Sequence, residues 1–260
     1  MSDQELVIEQ DGAVATVRIN RPQVHNALDS ALLTRLGAAI GDLAGHARAV
    51  VLTGTGGKAF CAGADLDELA GLTAEEAAPL LQAGQDIVRG IERSRVPVIA
   101  AVDGLALGGG FELVLACSFA LVSTRAAFGL PEAGLGLIPG YGGTQRLARS
   151  VGPAVARHVM LTGHRIDADR AHALGIAVLP PVEPDALLPL ALDTARRVAA
   201  RGPAACRAIL EAVDVGRDVP LDAGLVLESR LAAMAAGSAE AREGVAAFRE
   251  KRPASYGGRG

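Results

Sequence analysis

One stretch, residues 98–117, constrains the fold more than any other: "VIAAVDGLALGGGFELVLAC". A β-branched run bounded by Pro97 and Gly104 reads as a buried strand, Gly108, Gly109 and Gly110 form a corner, and an apolar helix follows. A strand that turns so sharply into a helix belongs to a layered α/β domain. Each glycine costs backbone entropy, roughly 0.5–1 kcal/mol relative to alanine inside an element, so three in a row need a reason. The corner also carries a carboxylate, Glu112, in the first helical turn, where a core side chain is expected.

The neighbouring segments repeat the alternation. "ELVIEQDGAVATVRIN" reads as two strands about a turn at Asp11-Gly12, with Val14, Thr16 and Arg18 on one face and Ala13, Ala15, Val17 and Ile19 on the other. Asp29 is placed to cap a helix running to about Gly45, and "AVVLTG" follows as a short buried strand. A helix is expected over residues 74–92, then the strand "VPVIAAVDG", then the strand-like "FALVS" and "AAFGL". From about Pro184 the chain turns alanine- and arginine-rich with helical spacing, so residues 197–260 form a candidate helical subdomain or oligomer arm behind a core of residues 1–196.

Composition excludes several functions. The 260 residues are 50% apolar, enough for one large core and a buried site. A net charge of −4 and only 3% aromatics supply neither a phosphate-neutralising surface nor stacking platforms, so nucleic acid is not an expected partner. No apolar run approaches the ~18 residues of a membrane span, and "MSDQELVIEQ" lacks the basic and apolar halves of a secretory signal. Cys61, Cys117 and Cys206 are scattered and odd in number, which argues against a disulfide framework or CxxC metal site and for the cytoplasm. The five histidines show no ligand-like spacing, so no metal is expected.

The glycine loops do not match the phosphate-binding patterns. "GTGGKA" lacks the P-loop spacing and its Ser/Thr, and "GLALGGGFE" lacks G-x-G-x-x-G. GxSxG and HExxH are absent as well. Bare backbone remains a reason for glycine: a corner at a helix start presents unpaired N–H groups to an oxyanion. A tight packing corner is the plain alternative. A second loop, "FCAGAD", has the same look, with Phe60 in a strand, small residues Ala62, Gly63 and Ala64, and then a helix. Two such donors suit a thioester enolate, each worth about 2.7–4 kcal/mol when preorganised. Glu112 beside the first corner would be a base whose charge the helix dipole favours. Glu132, after Pro131 in a segment almost free of charge, is either an ordinary helix-start acid or its partner.

Five segments carry a resemblance: "AFCAGADLDEL", "PVIAAVDGLALGGGFELVLAC", "AAFGLPEAGLGLIPGYGGTQRL", "LTGHRIDADRAHALGI" and "EGVAAFREKRPASY". Together they closely resemble the crotonase family, specifically its enoyl-CoA hydratases, over nearly the whole chain. The resemblance implies a crotonase-like spiral of ββα units with a C-terminal helical oligomerisation module, forming trimers that usually pair into hexamers. It implies reversible syn addition of water across the 2,3 double bond of a 2-enoyl-CoA to give a 3-hydroxyacyl-CoA through an enolate, with no cofactor beyond the CoA of the acyl-CoA substrate. Residue by residue it puts the oxyanion hole on the N–H groups of Ala64 and Gly109, the water-activating base on Glu112 and the C2 proton on Glu132. Ala62, Asp65 and Leu66 match the CoA and acyl channel, and Val24 the pantetheine loop. Phe248 and Lys251 match residues that a neighbouring subunit lends to the adenine. Asp67, Leu130 and Tyr141 depart from the family pattern, where lysine, glutamine and a small residue are common. Tyr141 is either a surface-loop aromatic or a wall of the acyl pocket. The same resemblance leaves a 3-methylglutaconyl-CoA hydratase and a 3,2-enoyl-CoA isomerase as alternatives.

Overall fold

The computed structural model describes residues 5–256. The chain opens with the expected hairpin, β1 (Leu6–Asp11) antiparallel to β2 (Val14–Ile19), and α1 (Ser30–Leu43) follows. Asp29 does cap α1: its side chain accepts from Leu32 N at 2.7 Å and satisfies one of the orphan donors of the first turn. Three further units each send one strand to a large sheet and the next to a small one: β3 (Ala49–Gly54) and β4 (Ala59–Cys61) with α2 (Ala74–Glu92), then β5 (Val98–Val102) and β6 (Leu105–Leu107) with α3 (Gly109–Ala116), then β7 (Phe119–Val122) and β8 (Ala127–Gly129). The large sheet has the order β1-β2-β3-β5-β7, parallel from β2 onward. The small one is β4-β6-β8-β9, where β9 is Ile166–Asp167 and pairs antiparallel with β8.

This two-sheet winding explains the unbroken apolar runs. In β3, Val50 and Leu52 face a main core with α1, while Ala49 and Val51 face a second layer built by α7 (Pro184–Ala199) through Leu187, Ala191, Ala195 and Ala199. A strand covered on both faces has no reason to alternate with polar residues. Between β8 and α7 lie α4 (Gly143–Val151), α5 (Pro153–Thr162) and α6 (Ala168–Ala173). Position 196 thus falls inside α7, a helix of the main body.

The helices α8 (Pro203–Gly216), α9 (Leu221–Ala236) and α10 (Ala239–Glu250) differ in kind. α8 and α9 contain no buried residue, and α10 buries only Ala247. Leu221, Met234 and Phe248 are 74%, 75% and 85% exposed.

The "LAL" inside the glycine-rich stretch, which the sequence pattern leaves unassigned, is β6, a three-residue strand too short to declare itself by periodicity. One sequence expectation needs correction. The "FCAGAD" loop does not enter an α-helix; only a 3-10 turn, Leu66–Glu68, follows it, and α2 waits for the Thr73–Glu76 capping box.

Candidate active site

The site lies where β4 and β6 end side by side in the small sheet and where α3 begins. Gly108 turns the corner with φ 49° and ψ −126°, a conformation closed to side-chain-bearing residues, and its N–H donates to Gly129 O at 2.9 Å. Gly110 answers a closer constraint: a methyl group there would stand 2.1 Å from Cys61 O, so only glycine lets α3 start against β4. Gly109 between them is the first residue of α3, with an N–H directed out of the helix.

The facing wall is held by a loop that Asn26 organises. Fully buried at φ 59°, Asn26 accepts from Arg21 N and donates to Thr55 O and Ala59 O at 3.0 and 2.8 Å, tying residues 21–28 to the ends of β3 and β4. His25 O and Leu28 then bond along residues 62–65: Ala62 N to His25 O, Leu28 N to Gly63 O, Asp65 N to Leu28 O. In such a parallel bridge alternate residues point away, which leaves the Ala64 N–H facing the other side. Among the described turn and loop bonds, neither Ala64 nor Gly109 donates. A methyl group on Gly109 would lie 3.3 Å from Ala64 N, and one on Gly63 would lie 3.4 Å from Gly109 N. The two free amides are therefore neighbours. The Ala64 amide owes its freedom to the bridge with Leu28, however, since no helix starts there.

Glu112 lies one turn into α3 and is 1% exposed. Its carboxyl is not held by its own helix: Oε1 accepts from Tyr141 N at 2.8 Å and Gly143 N at 2.6 Å, on the loop that starts α4. The expected dipole effect is outweighed. Burial pushes the Glu112 carboxyl up to about 7, with the Glu132 charge adding to the rise and the Gly143 and Tyr141 N–H groups opposing it. Glu132 starts a 3-10 turn, Glu132–Leu135, and burial raises its carboxyl too. Among the described residues its buried Oε2 has no hydrogen-bond partner, and a methyl group on Gly108 would come within 3.2 Å of its Oε1. The structure thus brings Glu132, Glu112 and the two amides to one corner.

The departures from the family pattern fall differently. Tyr141 is no surface aromatic: it is 8% exposed and its ring passes 3.1 Å from where a Gly109 methyl would sit. Leu130 is fully buried. Asp67 is exposed on the 3-10 turn, its N–H bonded to the Asp65 side chain. Val24 and Leu66 are 42% and 50% exposed near the mouth formed by residues 62–65, and Ala62 and Asp65 are half-buried. Phe248 and Lys251 lie at the far end of α10, both exposed, with Lys251 capping the helix at φ 55°.

Three residues went unread in the sequence. Asn26 could have been suspected as a polar residue in a glycine-free turn, but Glu92 and Arg146 carry no local signal. Glu92, 9% exposed, accepts from Arg89, Arg146 and Arg217. Arg146 also donates from Nη1 to Tyr141 O at 2.6 Å. Among the described residues no group of three or more His, Cys, Asp or Glu is arranged to hold a metal ion, and no helix is long and apolar enough to cross a membrane.

Comparison with known proteins shows the family. A family described as enoyl-CoA hydratase/isomerase matches residues 9–259. A crotonyl-CoA hydratase from Syntrophomonas wolfei is 37% identical over 258 residues, 98% of this chain and 99% of that protein. A mitochondrial methylglutaconyl-CoA hydratase from Mus musculus is 37% identical over 255 residues, 96% of this chain and 81% of the relative. A crystal structure of an enoyl-CoA hydratase from Bacillus anthracis superposes with a TM-score of 0.93 at 38% identity, covering 97% and 99% of the two chains.

Proposed function

The chain belongs to the enoyl-CoA hydratase/isomerase family, and from that premise we propose that it is a hydro-lyase adding water to short 2-enoyl-CoA thioesters. The observation that carries the reading is the buried pair Glu112 and Glu132 beside two free amides. An isomerase needs one base to carry a proton between two carbons; hydration needs one group for water and one for C2. Crotonyl-CoA is the substrate in the Syntrophomonas relative's name, and the buried Tyr141 ring limits the space beside Gly109.

In the proposed reaction the thioester oxygen sits between Ala64 N–H and Gly109 N–H. Ionised Glu112 takes a proton from water as the water oxygen bonds to C3. The C2–C3 π electrons move onto the thioester, and the amides hold the resulting enolate. Protonated Glu132 then gives its proton to C2, the enolate collapses, and the proton on Glu112 returns to Glu132 to close the cycle. Burial pushes both carboxyls up, which favours keeping a proton within the pair, and the chemistry requires that proton on Glu132 when the water is attacked. The addition is redox-neutral and needs only groups of the protein. Val24, Ala62, Asp65 and Leu66 would border the CoA arm. Phe248 and Lys251 would reach a neighbouring subunit's CoA in a cytoplasmic homotrimer, or in a hexamer of two trimers. The lack of any fully buried residue in α8 and α9 supports such an assembly, and sedimentation of the intact protein tests it.

Turnover of crotonyl-CoA, 3-methylglutaconyl-CoA and 3-enoyl-CoA by the purified protein tests the reading. Hydration of crotonyl-CoA is expected to be fastest. Preference for the 3-methylglutaconyl ester favours the second reading, which the murine relative's name supports. Isomerisation without hydration contradicts both.

A further inference from the structure

We propose that Arg146, anchored by Glu92, is a positioning residue that aims the turn holding Glu112. The inference rests on the assignment of Glu112 as the base. Arg146 lies in the first turn and a half of α4, and its guanidinium has two faces in use. Nε and Nη2 grip Glu92 Oε2 at 3.1 and 2.7 Å, and Nη1 donates to Tyr141 O at 2.6 Å. The peptide chain carries the effect onward: Tyr141 N and Gly143 N are the two donors to Glu112 Oε1. Gly142 between them sits at φ 103°, with Arg146 N bonded to its carbonyl, so the turn wraps the guanidinium. A planar fork can serve an acid and a carbonyl at once; an ammonium cannot hold both in fixed directions.

Glu92 holds the fork in place from α2, with Arg89 and Arg217 on its remaining edges. Stability alone gives little reason for such a buried cluster, since apolar replacement of buried ion pairs is often neutral. A rigid turn beside the base supplies one. The charged and titratable groups beside Glu112 are Glu132 from the 3-10 turn, Arg146 from α4 and the Tyr141 phenol, which burial pushes up to about 12. Among the described residues Glu132 and Arg146 bring the largest charges to bear on it, and Arg146 acts in the same direction as the hydrogen bonds it positions, so its loss moves Glu112 upward.

The test uses full-length protein with 13C-labelled glutamate carboxyls, reading the Glu112 titration midpoint together with kcat and KM for crotonyl-CoA. Arg146→Met should lower kcat by about tenfold or more with KM within about twofold, and should move the Glu112 midpoint upward. Arg146→Lys, which restores the charge without the fork, should recover only part of both. Arg217→Ala, which removes a Glu92 partner that does not reach the turn, should lower Tm and leave kcat and the midpoint in place. The proposal is overturned if both Arg146 variants keep the wild-type midpoint and kcat, if Arg217→Ala shifts them equally, or if neither Arg146 variant folds, which would make the cluster a purely structural one. Failure of the base assignment looks different: the midpoint still moves in Arg146→Met, but the wild-type protein hydrates no enoyl-CoA.

Discussion

Two buried glutamates, Glu112 and Glu92, are 1% and 9% exposed, yet their carboxyls move in opposite directions: Glu112 is pushed up to about 7, Glu92 drawn down to about 2. Burial penalises the charged form of both. The difference lies in the partners. Glu92 is enclosed by the guanidinium groups of Arg89, Arg146 and Arg217, whereas Glu112 receives two backbone N–H groups and feels the like charge of Glu132. Neutral donors orient a carboxylate without cancelling its desolvation; cations cancel it. One acid is therefore locked in its charged form as part of the framework, and the other stays poised to accept a proton.

The largest expected effect separates the two by chemistry. Glu112→Gln and Glu132→Gln should each lower kcat for crotonyl-CoA by about 10²–10⁴-fold while circular dichroism shows an intact fold. A methyl group at Gly109 should crowd the oxyanion corner: Gly109→Ala brings a carbon to 3.1 Å from the Tyr141 ring and 3.3 Å from Ala64 N, and about 10²-fold should be lost from kcat in steady-state assays. Glu92→Gln should register in urea unfolding, costing about 3 kcal/mol at neutral pH because three guanidinium groups lose their shared acid. As the folded carboxyl is lowered, this stability is present above the ordinary value of 4.5 and fades as pH falls toward about 2.

The smallest effect has the opposite sign. Glu112 is raised in the folded state, so its ionisation weakens the fold as pH climbs from 4.5 toward about 7. Glu112→Gln should therefore be more stable than wild type by up to roughly 3 kcal/mol above that range, with the gain vanishing in acid. Thermal melts at the two ends of the range check it. A destabilised Glu112→Gln at high pH would place the two acids in one class after all.

Sequence reading succeeded where the cause was local. The α2 limits 74–92, the Asp29 cap and the glycine corner all follow from nearest-neighbour chemistry, and so does the position of Glu112 in a first turn. Its hydrogen-bond partners, Tyr141 and Gly143, are 29 and 31 residues away, on a loop whose own pattern gives no hint of a carboxylate. Glu92 meets Arg217 across 125 residues, and no periodicity in α2 marks it as an ion-pair centre. The burial of Tyr141 depends on Gly84, where a methyl group would collide with its ring at 2.1 Å, a contact between α2 and a distant turn. The three-residue strands β4, β6 and β8 are too short to show a period of their own; the small sheet exists because each is delivered by a longer strand beside it.

The pH dependence of kcat/KM for crotonyl-CoA, followed from about pH 5 to about pH 9 on the wild-type protein, tests most directly whether Glu112 works as a base in the free enzyme. The account predicts an acid-side limb with its midpoint near 7, where the Glu112 carboxyl ionises. A profile flat through that region, or no hydration at any pH, would contradict it.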